Sequence, residues 1–298
     1  MLPTSPEGWA IHLSKLLRVF HEAHSLDRFP VNVSEIAIEY SQQVFPNEPI
    51  TLVQGKNFSY KFEGMLAPNP SKNEWGIFYN DAIRSKGRQN FTLAHELGHY
   101  LLHRHLSPNG IKCSSRDMSD WQSNYAKIES QANTFSSYLL MPLDDFREQS
   151  KDQSPTIELM SHLANRYNVS ITAVILKWLG ITSDRAMIVV GKEGFIDWAW
   201  SSKNLLRSGV YFKGRQETIE LPINSLAAKQ NLSYDNNLGI QHPKGVWNDN
   251  EEVFEMTIFS EINEMTISLL IFSNNTNYIT QEEHEDDGID DAVTRIST

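Results

Sequence analysis

The stretch FTLAHELGHY, residues 91–100, decides the chemistry of this chain and the part of the fold that carries it. His95 and His99 stand four residues apart, so on a helix both imidazoles project from one face and can bind one metal ion. Glu96 follows His95 directly, where a carboxylate can take a proton from a metal-bound water. This spacing is the His-Glu-x-x-His pattern of zinc peptidases, which requires a helix, and we predict one from about Phe91 to His103.

A catalytic zinc site needs a third protein ligand. His103 continues the four-residue series, but eight residues of helix separate it from His95 by about 12 Å, which is too far for one ion. Glu129, on the next predicted helix at 127–140, is the better candidate, with an exposed helical carboxylate as the alternative. Asn133 lies one turn beyond Glu129, where its side chain could hydrogen-bond a ligand histidine.

Two motifs together resemble the ImmA/IrrE family of metallopeptidases. They are RQNFTLAHELGHYLLH at 88–103 and the element Glu129-Ser-Gln-Ala132-Asn133-x-Phe135-x-x-x-Leu139-Leu140-Met141-Pro142. The resemblance covers about residues 30–182. It implies a zincin-like domain holding Zn²⁺, with Glu129 as the third ligand, because the first Glu of the Glu-x-x-Ala-Asn element has that role in the family.

The resemblance also implies a function and partners. Family members cleave helix-turn-helix transcriptional repressors of phage, mobile-element, stress or defence operons, and so switch on transcription. Some answer to DNA damage, which makes single-stranded DNA a candidate activator of this chain. Some carry a C-terminal GAF-like sensor domain, although no GAF motif can be matched here residue by residue.

Periodicity and turn residues predict an α+β protein in four parts, and the resemblance implies the nature of the first two. The expected parts are a zincin-like metallopeptidase domain with N-terminal helices (1–150), a helix-turn-helix-like helical element (151–182), a β-rich sensor or docking domain (183–280) and a disordered acidic tail (281–298). Strands are expected near 50–66 and 74–80, and the strand Trp75–Asn80 could align a substrate by β-addition. The β-rich part contains six short runs rich in β-branched and aromatic residues, including 209–213 and 217–221.

Charge is unevenly distributed along the chain. The net charge is −11, which argues against coating of duplex DNA through overall charge, and the acidic residues concentrate in the tail after residue 280. Segment 84–116 has the opposite balance, with a surplus of five positive charges. Its basic residues are Arg84, Lys86, Arg88, Arg104, Lys112 and Arg116. The surplus predicts either a solvated surface or a contact for nucleic acid or an acidic partner segment.

Cys113 is the only cysteine, so the chain cannot form an internal disulfide, which fits a reducing compartment. No apolar run approaches the roughly 20 residues of a membrane span, and the start MLPTSPEGWA does not resemble a signal peptide, so we expect a cytoplasmic protein. Cys113 lies between the two metal-bearing helices. Its thiolate could fill a fourth coordination position and hold the enzyme latent, with an ordinary free thiol as the alternative.

Two other functions compete with a peptidase. The first is a non-proteolytic regulator, either sensing zinc or binding DNA through the predicted helices at 155–167 and 170–179, although the second of these has one basic residue, Lys177. The second is a structural zinc protein, in which Glu96 would have no role and a fourth protein ligand would close the site. Glu96 therefore favours the peptidase.

Overall fold

A computed structural model describes residues 2–58, 63–113, 124–213, 217–229, 239–260 and 264–274, without the side chains of Lys112, Cys113 and Asn124. The predicted acidic tail lies outside these ranges. The chain divides into two compact units. Within the described residues, the first contains 2–151 and 163–173, and the second contains 152–162 and the residues from 174 onward.

The first unit combines helices with a small sheet. Its helices are α1 (Pro6–His24), α2 (Val33–Val44), α3 (Lys86–His103), α4 (Asn124–Leu140) and α5 (Leu143–Ser150), and its strands are β1 (Ile50–Lys56), β2 (Gly64–Pro68), β3 (Trp75–Asn80) and β4 (Ile111–Cys113). Local sequence sets the helix starts: the Ser85 hydroxyl accepts a hydrogen bond from the Arg88 N–H at the start of α3. Helix α3 packs on β2 and β3 on one side and on α4 on the other.

The sheet of the first unit has the strand order β1-β3-β2-β4. Strand β3 runs parallel to β1 and antiparallel to β2, and its pairing with the two neighbours covers Trp75 to Asn80. The prediction that Trp75–Asn80 receives a substrate strand is therefore wrong, because both edges of β3 already carry a partner. The outer strands of this sheet are β1 and β4.

Helices α6 (Ile157–Tyr167) and α7 (Ile171–Leu179) correspond to the predicted helical pair and contribute residues to both units. The second unit continues with strands β5 (Ala186–Lys192), β6 (Phe195–Ser201), β7 (Ile240–His242), β8 (Val253–Ser260) and β9 (Met265–Phe272), and with short helices α8 (Lys203–Arg207) and α9 (Leu226–Lys229). These strands form an antiparallel sheet in the order β6-β5-β9-β8-β7. The predicted fold class is confirmed: a helix-rich α+β part followed by a β-rich part.

Two of the six apolar runs are not strands. Residues 209–213 form no strand, and in 217–221 Glu220 makes only an isolated bridge to Phe195. The reason is packing: Val210, Phe212 and Ile219 instead lie against a buried apolar cluster of this unit, which includes Met187 and Leu270. In the described part of the chain, no helix is long and apolar enough to cross a membrane.

Candidate metal centre

Three predicted ligand side chains meet where α3 faces α4. His95 and His99 lie one turn apart on α3, and their Nε2 atoms are 2.9 Å apart. Glu129 on α4 places Oε2 at 3.1 Å from Nε2 of His95 and Oε1 at 3.3 Å from Nε2 of His99. Within the described residues, this trio is the group of histidine and carboxylate side chains that could hold a metal ion.

The spacing of these donor atoms fits a divalent metal. A tetrahedral ion with bonds of about 2.0–2.2 Å holds its ligand atoms about 3.3 Å apart. The three measured separations, 2.9, 3.1 and 3.3 Å, are close to that value. Two imidazoles and one carboxylate are also a donor set that zinc accepts, with a fourth position left open.

A glycine allows α4 to come close enough to α3. A Cβ on Gly98 would lie 2.9 Å from Cδ1 of Phe135 and 3.3 Å from Cα of Ala132, closer than packed atoms normally approach. Phe135 and Ala132 are themselves fully buried. The glycine inside the His-Glu-x-x-His motif therefore sets the helix separation at which Glu129 reaches both imidazoles.

Glu96 lies beside this trio and is completely buried. On its other side is Gly64 of β2, where an added Cβ would approach Oε1 of Glu96 and Cγ2 of Thr92 to 2.6 Å each. The Glu96 charge contributes to raising the pKa of His95, so the carboxylate acts on the centre electrostatically. Glu96 is thus a buried carboxylate whose charge acts on a candidate metal ligand.

The three groups of the trio differ in their pKa values. Burial lowers the pKa of His95, but the hydrogen bond and charge of Glu129 and the charge of Glu96 outweigh it and raise that pKa to about 9. Burial and the charge of His95 lower the pKa of His99 to about 4. The two imidazoles hold the pKa of Glu129 far below its usual value despite burial. His95 is therefore cationic at neutral pH, and Glu129 is ionised.

Two further polar side chains contact the Nδ1 atoms of His95 and His99. Oδ1 of Asn133 lies 2.8 Å from Nδ1 of His95, which is the contact predicted from the sequence. Nδ1 of His103 lies 3.0 Å from Nδ1 of His99, and Nε2 of His103 lies 2.9 Å from Oε1 of Gln131. His103 is buried and does not belong to the trio, whereas the side chain of His105 is 72% exposed.

The basic residues of 84–116 do not form one surface. Arg104 is 5% exposed, its guanidinium binds Oε1 of Glu48 at 2.8 Å, and the cation lies over the Phe45 ring. The prediction that Arg104 contacts nucleic acid is wrong, because its charge is buried and paired.

The other predicted basic contacts differ in their placement. Arg88 is half-buried and paired with Glu63, so it contributes little net charge. Arg84 and Lys86 are exposed. The side chain of Lys112 and all of Arg116 lie outside the described residues.

The backbone of Cys113 pairs with Gly64 in the β2–β4 ladder, opposite the glycine that touches Glu96. The Cys113 side chain and residues 114–123 lie outside the described part, so the inhibitory thiolate stays a prediction.

Two residues near the centre, Gly64 and Gln131, were not predicted from the sequence. A glycine inside a strand often marks the close approach of another group, so the position of Gly64 in an otherwise apolar strand was a usable signal. Gln131 gave none, because a polar residue between Glu129 and Asn133 is ordinary on a half-exposed helix.

Comparisons with known proteins agree with this geometry. Residues 47–179 match the family model of the IrrE N-terminal-like domain, Peptidase_M78. Over 86 residues the chain is 31% identical to Metallopeptidase ImmA of Bacillus subtilis (strain 168); the match covers 29% of this chain and 46% of that protein, less than half of the relative's length. A Mycobacterium tuberculosis transcriptional regulator shares the fold, with a TM-score of 0.53 and 13% identity, over 88% of this chain and 76% of that chain.

The matched segment begins at the strands of the first unit and runs through α7, so it contains the metal trio, Glu96 and the helices that place them. It lies within the 30–182 range over which the motifs predicted a resemblance. The predicted resemblance to the ImmA/IrrE family is confirmed: residues 47–179 match the IrrE N-terminal-like domain of the Peptidase_M78 family.

Proposed function

We propose that this chain is a zinc-dependent endopeptidase that cleaves a helix-turn-helix transcriptional repressor. One observation carries the proposal: Glu96 is fully buried on the same helix as His95 and His99, and its charge acts on His95. A carboxylate base beside a three-ligand metal centre is one arrangement that supports hydrolysis of a peptide bond. The Metallopeptidase ImmA relative supports the reaction class.

In this proposal, His95, His99 and Glu129 hold the ion, and Glu96 transfers the proton. A bound zinc ion would lower the pKa of a water molecule toward ~7 and polarise the scissile carbonyl. Glu96 accepts the proton of that water and later returns it to the leaving amine. Asn133 orients His95 through its Nδ1 atom, so that Nε2 faces the ion.

Strand pairing indicates where an extended substrate would lie. Strand β4 pairs with β2 at Gly64, and Gly64 touches Glu96. Among the described residues, no strand pairs with the outer edge of β4. Because an extended peptide binds a sheet through an unpaired edge, β4 replaces β3 as the strand along which a substrate would align.

The competing functions are less well supported. A structural zinc site would give the fully buried Glu96 carboxylate no role. A regulator that reads DNA through α7 would need its one basic residue at the surface, yet Lys177 is 7% exposed. The likeness to a transcriptional regulator supports the fold alone, because the identity is 13%.

We propose that the enzyme is latent until an effector binds, with single-stranded DNA as the candidate and Arg84 and Lys86 as its exposed contacts. A derepressed stress, DNA-damage or antiviral defence operon would be the outcome. A single cysteine suits the reducing cytoplasm.

The test is a cleavage assay on a defined candidate. The zinc-loaded chain is incubated with the helix-turn-helix protein encoded beside it, with and without single-stranded DNA, and fragments are identified by mass spectrometry. We expect one or a few internal cleavage sites in the repressor, and none with Glu96→Gln. Equal cleavage by Glu96→Gln would overturn the proposed chemistry.

A further inference from the structure

Two amide side chains of α4 are linked to the Nδ1 atoms of the ligand histidines, one directly and one through a third imidazole. Oδ1 of Asn133 lies 2.8 Å from Nδ1 of His95, a direct contact. Oε1 of Gln131 reaches His99 only through an intervening imidazole: it lies 2.9 Å from Nε2 of His103, whose Nδ1 lies 3.0 Å from Nδ1 of His99. Both ligand histidines therefore have their Nδ1 atoms engaged on the side opposite the metal.

The tautomer of each imidazole decides whether it can bind a metal. A neutral histidine carries one hydrogen, on Nδ1 or on Nε2, and a metal at Nε2 requires the hydrogen on Nδ1. A carbonyl oxygen only accepts hydrogen bonds, so Oδ1 of Asn133 stabilises the hydrogen on Nδ1 of His95. His95 is thereby set for metal binding through Nε2.

For His99, fixing the tautomer requires two successive hydrogen bonds, because its partner is another imidazole. An imidazole nitrogen can donate or accept, so His103 alone does not determine the tautomer of His99. Oε1 of Gln131 removes the ambiguity: Nε2–H of His103 donates to it, which leaves Nδ1 of His103 with a lone pair. Nδ1–H of His99 then donates to that lone pair, and the lone pair of His99 lies on Nε2, the atom that would bind the metal.

The reverse arrangement shows why the oxygen matters. If the amide nitrogen of Gln131 donated to Nε2 of His103, the hydrogen of His103 would lie on Nδ1. It would then donate to Nδ1 of His99, and His99 would carry its own hydrogen on Nε2, where the metal must bind. Which amide atom of Gln131 faces His103 therefore determines, through two hydrogen bonds, whether Nε2 of His99 can bind the metal.

We propose that His103 and Gln131 are positioning residues that fix His99 in its metal-binding tautomer. This inference rests on the proposed metal centre and deepens it. Helix α4 then supplies three functions from alternate positions: the ligand Glu129, the relay oxygen of Gln131 and the direct oxygen of Asn133. The near-complete burial of His103 supports the relay, because water does not compete for its nitrogens.

The first test measures zinc affinity by competition with a chelator. Partners of this kind typically change metal affinity 10–100-fold, so we expect His103→Leu and Gln131→Met to lose affinity in about that range. His103→Gln offers a carbonyl oxygen to Nδ1–H of His99, and we expect it to restore most of the affinity. His105→Leu, at an exposed histidine two positions away, is the matched control and should bind zinc like wild type.

A second readout does not depend on a variant remaining folded. In zinc-loaded wild-type protein, nitrogen-15 NMR locates the hydrogen of the His103 ring. The relay requires it on Nε2, and a hydrogen on Nδ1 would overturn the inference.

The outcomes separate the two proposals. Absence of zinc binding by wild type would contradict the proposed metal centre itself. Wild-type affinity in folded His103→Leu and Gln131→Met, with zinc bound normally by wild type, would contradict the relay alone.

Discussion

Gly64 lies directly against Glu96: a Cβ atom on this glycine would come within 2.6 Å of Oε1 of the carboxylate. The contact joins β2 to α3 at the proposed general base. Because Glu96 is fully buried, it has little room to move away from an added methyl group. The absence of a side chain at Gly64 is therefore part of how the fold places the carboxylate.

Gly64→Ala should reduce turnover while leaving metal binding nearly intact. The methyl group displaces the Glu96 carboxylate, and a misplacement of about 1 Å can cost around 100-fold in rate. The three atoms nearest such a Cβ belong to Glu96 and Thr92, not to a proposed metal ligand. The measurements are kcat on a cleaved repressor and zinc content. Gly180→Ala is the control, because a Cβ there meets only ordinary contacts at 3.4 and 3.6 Å. Unchanged kcat in Gly64→Ala would contradict this role for the glycine.

Zinc binding should release about one proton at neutral pH. The pKa of His95 is about 9 in the metal-free protein, so this imidazole is protonated at pH 7 and must lose its proton to bind the ion. His99, with a pKa of about 4, is already neutral. Apparent zinc affinity should therefore rise with pH up to about 9 and then level off. Calorimetry in buffers of different ionisation enthalpy counts the proton, and a count near zero would be inconsistent with this charge arrangement.

Arg104→Ala should destabilise the fold. The buried guanidinium binds Glu48 and donates to the carbonyl oxygen of Tyr100 at 2.9 Å, so its removal should lower the free energy of unfolding by about 2–3 kcal/mol. Arg84→Ala, at an exposed position, should leave stability unchanged and weaken any binding of single-stranded DNA. Denaturant titration and a binding assay at low salt separate the two effects. If Arg104→Ala had normal stability but lost DNA binding, Arg104 would instead be a contact for nucleic acid.

Cys113→Ala and Cys113→Ser should be active without an effector if the thiolate holds the enzyme latent. Removing the sulfur removes a fourth zinc ligand and opens the position for water. Cleavage of the repressor by each variant, without DNA, is compared with that of wild type. A latent wild type with equally latent variants would eliminate the cysteine from the switch.

Elements with local signals were predictable, and those that depend on tertiary packing were not. Helix α2 (Val33–Val44) has local signals, because its apolar residues are periodic and the Asn32 side chain caps it by accepting from the Glu35 N–H. Helix α5 was not predicted, because Pro142 signals the end of α4, whereas it is also the N-cap of the next helix, with Asp144 and Asp145 in its first turn. Segment 209–213 has strand-forming residues but finds no partner strand, which no local pattern reveals.

The same division holds at the metal centre. The spacing of His95 and His99 is a property of one helix, and the family motif pointed to Glu129. The burial of Arg104 and the relay through Gln131 depend on which side chains face each other across α3 and its neighbours, and the sequence carries no periodic signal for that. Net charge along a segment likewise did not reveal that Arg88 and Arg104 are paired with Glu63 and Glu48.

The central claim is that His95, His99 and Glu129 hold one metal ion while Glu96 acts on it without binding it. The most direct measurement is zinc per chain, by mass spectrometry of the metal, in wild type, Glu129→Gln and Glu96→Gln purified side by side. We predict about one zinc ion per chain in wild type and Glu96→Gln, and a large loss in Glu129→Gln. Full zinc in Glu129→Gln together with loss in Glu96→Gln would contradict the account.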